Sequence, residues 1–226
     1  MNLRRGFQIG SLGLFGILAA GNLLSDRCKK EALEESFSSS LEEQTSFLNE
    51  RFSYALSAED LVYLTRILYF EGAFDAHATT EDELRLGYDA IASVIKNRWA
   101  FDQEHKSNKF GGKKGLRGVA ENDYAFSCVR DNPAYFAEKS FYETKNEFSL
   151  IYGQMNFSRT ELAYASFVAI LSETREDPTD SATFYKTRDI PQVWEGTEAF
   201  HVHRKACKRV FTVRINSHEF FEIVCK

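Results

Sequence analysis

Apolar positions recur at helical spacing through most of the chain and switch to alternation near its end. Leu61, Leu64, Leu68 and Glu71 lie three, four and three residues apart, which places them on one inward face of a helix. Ser57-Ala58-Glu59-Asp60 supplies its start signal, with the Ser accepting from first-turn amides and Asp60 reaching back, and Gly72 suits its end. Thr80-Glu81-Asp82-Glu83 has the form of a capping box and opens a second helix. Leu84, Tyr88, Ile91, Val94 and Ile95 carry that helix forward, and Asn97-Arg98 finish it with polar chemistry. Asn132-Pro133 reads as a further helix entry, running to about Lys145. Ser158 or Thr160 caps another through Leu162, Ala163, Phe167, Ile170 and Leu171, before Asp177-Pro178. Short strands follow at Ala182 to Thr187, Phe200 to His203, Val210 to Ile215 and Glu219 to Cys225, the last two closing a hairpin around Asn216-Ser217. The pattern predicts an α+β domain, mainly helical, with a small antiparallel sheet near the C-terminus.

The segments between these elements divide the chain. Gly6 to Leu24 has no charged residue and follows Arg4 and Arg5, so residues 1–24 read as a signal peptide cut near Gly21, or as an uncleaved membrane anchor. Either places the protein outside the cytoplasm: in the periplasm, in the cell envelope or beyond it. Ser25-Asp26-Arg27-Cys28 lacks the small residues a lipidation signal needs. Residues 25–51 are rich in Glu and Ser and read as a polar linker or stalk. Leu41, Phe47 and Leu48 fit a short helix there, too sparse to promise a share in the core. The compact domain is expected over 52–226. Phe101 to Gly118 reads as a solvated basic loop, with a clamp on an anionic polymer as the sharper alternative.

Composition alters this picture little. Of 226 residues, 43% are hydrophobic and 27% charged, which suits a folded domain, and 20 Phe with 10 Tyr supply an aromatic core or groove. The formal net charge of -5 gives no basis for nucleic-acid binding.

The candidate chemistry lies at Glu71. A carboxyl at the end of a buried stripe, beside Tyr69 and Phe70, is poorly solvated, and poor solvation favours its protonated form. Such a group can protonate a leaving oxygen in glycosidic bond cleavage, whereas a terminal Glu that bends into water does nothing. His201 and His203, alternate residues of His201-Val202-His203, share one strand face but have no clear third ligand, so neither a metal nor another cofactor is expected.

These pieces, in order, resemble the SleB/CwlJ-type cell-wall hydrolases. Tyr69-Phe70-Glu71-Gly72 is similar to the family's Tyr-(Tyr/Phe)-Glu-Ala, and Gly87 to Arg98 to its Gly-x-x-Ala-Val-Ala-x-Val-Val-x-Asn-Arg. Leu116-Arg117-Gly118-Val119, Phe126-Ser127-Cys128, Asp177-Pro178-Thr179, Ala182-Thr183-Phe184-Tyr185, Trp194 and Ile215 to Phe221 complete the set. The resemblance covers roughly Leu61 to Phe221.

The resemblance implies a lysozyme-like, transglycosylase-type domain acting on the glycan strands of peptidoglycan. Glu71 is then the catalytic acid between N-acetylmuramic acid and N-acetylglucosamine, and afterwards the base that leaves an anhydro sugar end. Tyr69, Asn97, Ser127, Thr183, Tyr185 and His218 would line the groove, with Phe126 and Trp194 as apolar walls. Structural duties compete for several of these: a helix end for Asn97, a hairpin for His218, a core for Trp194. A hydrolytic enzyme would need a second carboxylate, for which Asp177 and Asp180 are the candidates, although Asp177 before Pro178 suits a turn. A non-catalytic envelope glycan-binding protein is the rival from another class. The chain departs from the family at Asp180-Ser181-Ala182-Thr183-Phe184-Tyr185-Lys186, where two histidines of the family's Gly-Gly-Ala-Thr-His-Tyr-His are missing. The repeat module that precedes some members is also absent from this sequence, which argues against a spore-germination role.

Cys207 and Cys225 flank the predicted hairpin and are placed to meet across it, while Cys28 and Cys128 leave other connectivities open. With an anchor of the kind some phage endolysins carry, Cys28 would also be placed to link release to thiol exchange.

Overall fold

The computed structural model describes residues 41–73, 78–122, 126, 128, 159–188, 200–202 and 205–225. Residues 41–52 form a helix, α1, within a compact unit spanning Leu41–Lys226. Leu41, Thr45 and Leu48 make its buried face, and Phe47 is exposed. Residues 41–51 lie in the segment read as linker, where the apolar pattern is sparse because a single narrow stripe suffices. The Asn49 side chain clasps the next turn, donating to the Leu56 carbonyl (2.7 Å) and accepting from the Leu56 amide (2.8 Å).

Helix α2 spans Ala58–Ala73. The expected start signal is present: the Asp60 amide donates to Ser57 Oγ (3.1 Å), and the Ser57 amide donates to Asp60 Oδ2 (2.9 Å). Leu61, Leu64, Ile67 and Leu68 are fully buried, each worth about 1.5–3 kcal/mol relative to exposure. Gly72 lies inside the helix and serves a different purpose from the one read in sequence. A Cβ there would sit 2.5 Å from Tyr88 Cε1, so the missing side chain lets the Tyr88 ring lie against the turn that carries Glu71.

Helix α3, Glu81–Glu104, begins at the expected capping box on Thr80. It does not end at Asn97-Arg98. Both side chains find partners across the helix surface: Asn97 Nδ2 donates to the Ala182 carbonyl (3.0 Å) and Arg98 Nε to the Thr183 carbonyl (2.6 Å). Polar chemistry here marks a contact with the next layer and no stop.

The following segment is ordered by buried Asp102, which corrects the reading of Phe101 to Gly118 as a loop. Its Oδ1 accepts from the Ser107 hydroxyl and the Lys109 amide, and its Oδ2 from the Phe110 and Gly112 amides, the amide contacts all at 2.9 Å. A 3-10 turn, Gly112–Lys114, and helix α4, Gly115–Glu121, follow. Arg117 of α4 is drawn into ion pairs with Asp60 (3.0 Å) and Glu121 (2.7 Å), which removes it from any polymer clamp.

Helix α5, Arg159–Leu171, packs with α2 and α3. The helix read from Asn132 to Lys145 lies outside the described residues. The sheet is antiparallel, in the order β1 (Phe184–Thr187), β4 (His218–Cys225), β3 (Lys205–Ile215), β2 (Phe200–Val202). β1 starts two residues later than read, because the Ala182 and Thr183 carbonyls serve α3. β3 starts at Lys205, ahead of the expected Val210, because the ladder extends to Cys207 opposite Cys225, which are joined by a disulfide. The β3–β4 hairpin turns at Asn216, whose φ of 51° Asn tolerates well. Its Nδ2 also donates to the Glu83 carbonyl (2.8 Å), tying the turn to the start of α3. Ala90 and Val94 of α3 meet Ala182, Ile215 and Phe220 in a second apolar cluster. The result is an α+β domain in which α3 is packed by helices on one flank and by the sheet on another. Among the described residues no helix is long and apolar enough to cross a membrane. Residues 1–24 lie outside that set.

Gly72→Ala should destabilise the domain, although Ala is favoured over Gly in a helix by about 1 kcal/mol. The added methyl would sit 2.5 Å from the fully buried Tyr88 ring, which must shift to admit it. A melting temperature at or above that of the unsubstituted protein would contradict this packing.

Candidate active site

The inward stripe of α2 delivers Glu71 half-buried, one turn beyond fully buried Leu68. Its two oxygens are in different surroundings. Oε2 accepts from the Tyr185 hydroxyl at 2.8 Å, and Oε1 accepts a longer bond from the Cys128 amide at 3.4 Å.

Tyr185 stands in β1 opposite Phe220. Its ring stacks on Phe220 (5.8 Å between centroids), meets His218 edge-on (5.4 Å) and lies 6.2 Å from Phe126. Burial, followed by the charge of Glu71 and the hydrogen bond to it, pushes the Tyr185 phenol well above its usual range. The phenol therefore keeps its proton and acts as donor to Glu71.

Arg98 closes the other side of this aromatic wall. It is 5% exposed, and its guanidinium carbon lies 5.3 Å from the Phe126 centroid, 5.6 Å from Phe110 and 5.7 Å from Phe184. Burial pushes the guanidinium down to about 10, against the opposing attraction of Tyr185 and Glu71.

Of the residues singled out in sequence, Glu71, Tyr185, Phe126 and His218 are brought together. Thr183 is 4% exposed and lies just before β1; its hydroxyl has no hydrogen-bond partner among the described residues. Asn97 serves as a tie from α3 to the strand entry. Tyr69 is fully buried, edge-on to Phe70 at 5.7 Å, on a core-facing position rather than a groove wall. Ser127 and Trp194 lie outside the described residues, as do the His201 side chain and His203. Among the described residues no group of three or more His, Cys, Asp or Glu is arranged to hold a metal ion.

Arg98 was not singled out as a site residue, yet a signal for it exists. It lies four residues after Val94 and three after Ile95, on the apolar stripe, as Glu71 does in α2.

Asp177 is committed to its turn. Oδ1 accepts from the Thr179 amide (2.7 Å) and hydroxyl (2.6 Å), and Oδ2 from Asn97 Nδ2 (2.8 Å) and the Ser181 amide (3.1 Å). Burial alone would raise this carboxyl, but the hydrogen bonds outweigh burial and hold it below the usual carboxylate range. Asp180 is exposed, with a φ of 53°.

The described elements thus define an α+β domain whose α2 presents one carboxyl to a tyrosine, an aromatic wall and a buried guanidinium. The chain is similar to the catalytic domain of the germination-specific lytic transglycosylase SleB from Bacillus anthracis. That match has 20% identity and a TM-score of 0.44, and covers 74% of this chain and 98% of that one. It is also similar to the catalytic domain of the Bacillus cereus SleB protein, at 20% identity and a TM-score of 0.43, over 74% of this chain and 93% of that one. No family model and no curated protein matches the chain.

Because the folded Asp177 carboxyl is depressed, it stabilises the domain above the unfolded value of about 3.9, and that contribution disappears as pH falls through the folded value. Asp177→Asn should therefore lower the melting temperature at neutral pH, with the gap to wild type narrowing as pH falls below the usual carboxylate range. A gap independent of pH would contradict the ionised turn.

Proposed function

We propose that this domain cleaves peptidoglycan glycan strands between N-acetylmuramic acid and N-acetylglucosamine as a lytic transglycosylase, with Glu71 as its single acid and base. The observation that carries the reading is the Tyr185 to Glu71 Oε2 hydrogen bond. With Oε2 held by the phenol at 2.8 Å, Oε1, which has the longer Cys128 amide contact of 3.4 Å, is the oxygen that would exchange a proton with the substrate. The acid is thereby oriented before substrate arrives.

In the first step Glu71 gives that proton to the glycosidic oxygen. The C1–O bond of the muramyl sugar breaks, the N-acetylglucosamine alcohol leaves, and positive charge develops at C1. In the second step the muramyl 6-hydroxyl oxygen bonds to C1 and passes its proton to the Glu71 carboxylate. The product is a 1,6-anhydro end, the acid is regenerated, and no water is consumed. Phe126, His218 and Thr183 would line the sugar site around Tyr185, together with Ser127 and Trp194 as the resemblance implies.

Hydrolysis would require a second carboxylate, and the engagement of Asp177 by its turn supports the single-acid route instead. In this reading the enzyme acts outside the cytoplasm, in wall remodelling or phage-type lysis, with residues 1–24 as its signal or anchor.

Mass spectrometry of purified peptidoglycan digested by the protein should show anhydromuramyl ends. Glu71→Gln should lower their formation by about 10²- to 10⁴-fold, and Tyr185→Phe by about 10- to 100-fold. Reducing ends would identify a hydrolase, and folded protein that binds glycan strands without cutting them would identify a binder.

A further inference from the structure

We propose that the face of the sheet turned away from α3 is a second contact surface for peptidoglycan, which holds the acidic, peptide-bearing glycan strand outside the Glu71 site. The inference deepens the proposed action on peptidoglycan and rests on it. Strand register places the surface. Phe220 packs on Ala90 and Val94 of α3, so Phe221, its neighbour in β4, belongs to the opposite face. Phe221 pairs with Phe184 of β1 and with Phe211 of β3, which sets three rings in one row across strands about 4.8 Å apart. Phe211 meets Phe221 edge-on at 5.8 Å and is 51% exposed. A single exposed ring needs no explanation, but this one continues an aromatic row, and the row is bordered by charge.

The borders are basic. On one side Arg209 lies over the Phe184 ring at 4.6 Å. On the other, Glu219 is shared by two cations in register with it, Lys186 of β1 at 3.4 Å and Arg214 of β3 at 2.5 Å. The Arg214 side chain is 47% exposed. β3 as a whole carries Lys205, Lys208, Arg209 and Arg214 and no acid, in a chain whose formal net charge is -5. Positive charge is thus concentrated on the strand that also presents the most open ring of the row.

Rings bordered by cations suit a chain of sugars that bears carboxylates. The apolar C–H face of a pyranose stacks on an aromatic ring, and the acidic stem peptides of peptidoglycan supply anions for Arg214 and its neighbours. The row also starts next to the cleavage site, because Phe184 directly precedes Tyr185, the donor to Glu71. A second copy of the chain is a poorer occupant, since a two-fold contact through this face sets its cations against themselves. A lipid surface needs apolar groups standing clear of the sheet, whereas Phe184 and Phe221 are half-buried.

Co-sedimentation with insoluble purified peptidoglycan reads this surface without cleavage when the full chain carries Glu71→Gln. In that background Phe211→Ser should weaken binding by about five-fold or more, and Phe211→Trp should retain it. Arg214→Glu should also weaken binding at low salt, by a margin that shrinks as ionic strength rises. Peptidoglycan whose carboxylates have been converted to amides should bind the unsubstituted surface about five-fold less tightly, and should distinguish it little from Arg214→Glu. If Phe211→Ser does not fold, Arg214→Glu and the amidated peptidoglycan decide.

Absence of binding, or binding indifferent to both positions, overturns the proposal. Phe211-dependent capture by vesicles of phosphatidylcholine and phosphatidylglycerol, with peptidoglycan binding unchanged, overturns it in favour of a membrane. A dimer that Phe211→Ser dissociates, again with peptidoglycan binding unchanged, overturns it in favour of self-association. Anhydro ends made by a protein whose binding ignores Phe211 would leave the Glu71 reading standing and refute this surface. Phe211-dependent binding by a protein that cuts nothing would do the reverse, so the two failures are told apart.

Discussion

The middle of α3 is buried against helices on one flank and against the sheet on another, and that constraint governs the rest of the domain. A helix so enclosed cannot send its charged side chains into water, so those buried along it take partners elsewhere in the chain. Asp89 accepts two hydrogen bonds from Arg175 beyond α5, at 2.5 and 2.8 Å. Burial raises the Asp89 carboxyl even against that cation. Asn97 and Arg98 hold the entry to β1, and Asp102 folds the following turn around itself. The polar residues of one helix thus fix segments far away in sequence.

The candidate site inherits this order. Asn97 and Arg98 bind the carbonyls just before β1, which sets where β1 begins and brings Tyr185 to Glu71 at 2.8 Å. Gly72 lets α2 approach Tyr88 of α3 closely enough for Glu71 to reach that strand. The site is built on two helices and a strand, a firmer base for placing an acid than loops would give. Its side chains are aromatic or charged, and the phenol and guanidinium are each held by a hydrogen bond and by rings.

Local signals were legible wherever the physics is local. Both capping boxes, the Leu61 to Glu71 stripe and the hairpin at Asn216-Ser217 depend on residues close in sequence, and each was found where expected. Asn97-Arg98 misled because a polar pair at the end of an apolar run looks like a helix end when its distant partners are unknown. Asp102 was invisible for a related reason: one carboxylate collecting several amides has no periodicity. The resemblance implies a groove position for Tyr69, yet its helical direction carries it to the core. Arg98 followed the same stripe logic that identified Glu71, and only the neighbouring rings and strand reveal what that position does.

The account turns on one acid acting twice with no water in the reaction. Digesting purified peptidoglycan in ¹⁸O-enriched water, followed by mass spectrometry of the new ends, tests this directly. The single-acid route predicts anhydro ends carrying no ¹⁸O. One ¹⁸O at each new muramyl C1 would show that water attacks that carbon, and would contradict the role assigned to the 6-hydroxyl and to Glu71 as its base.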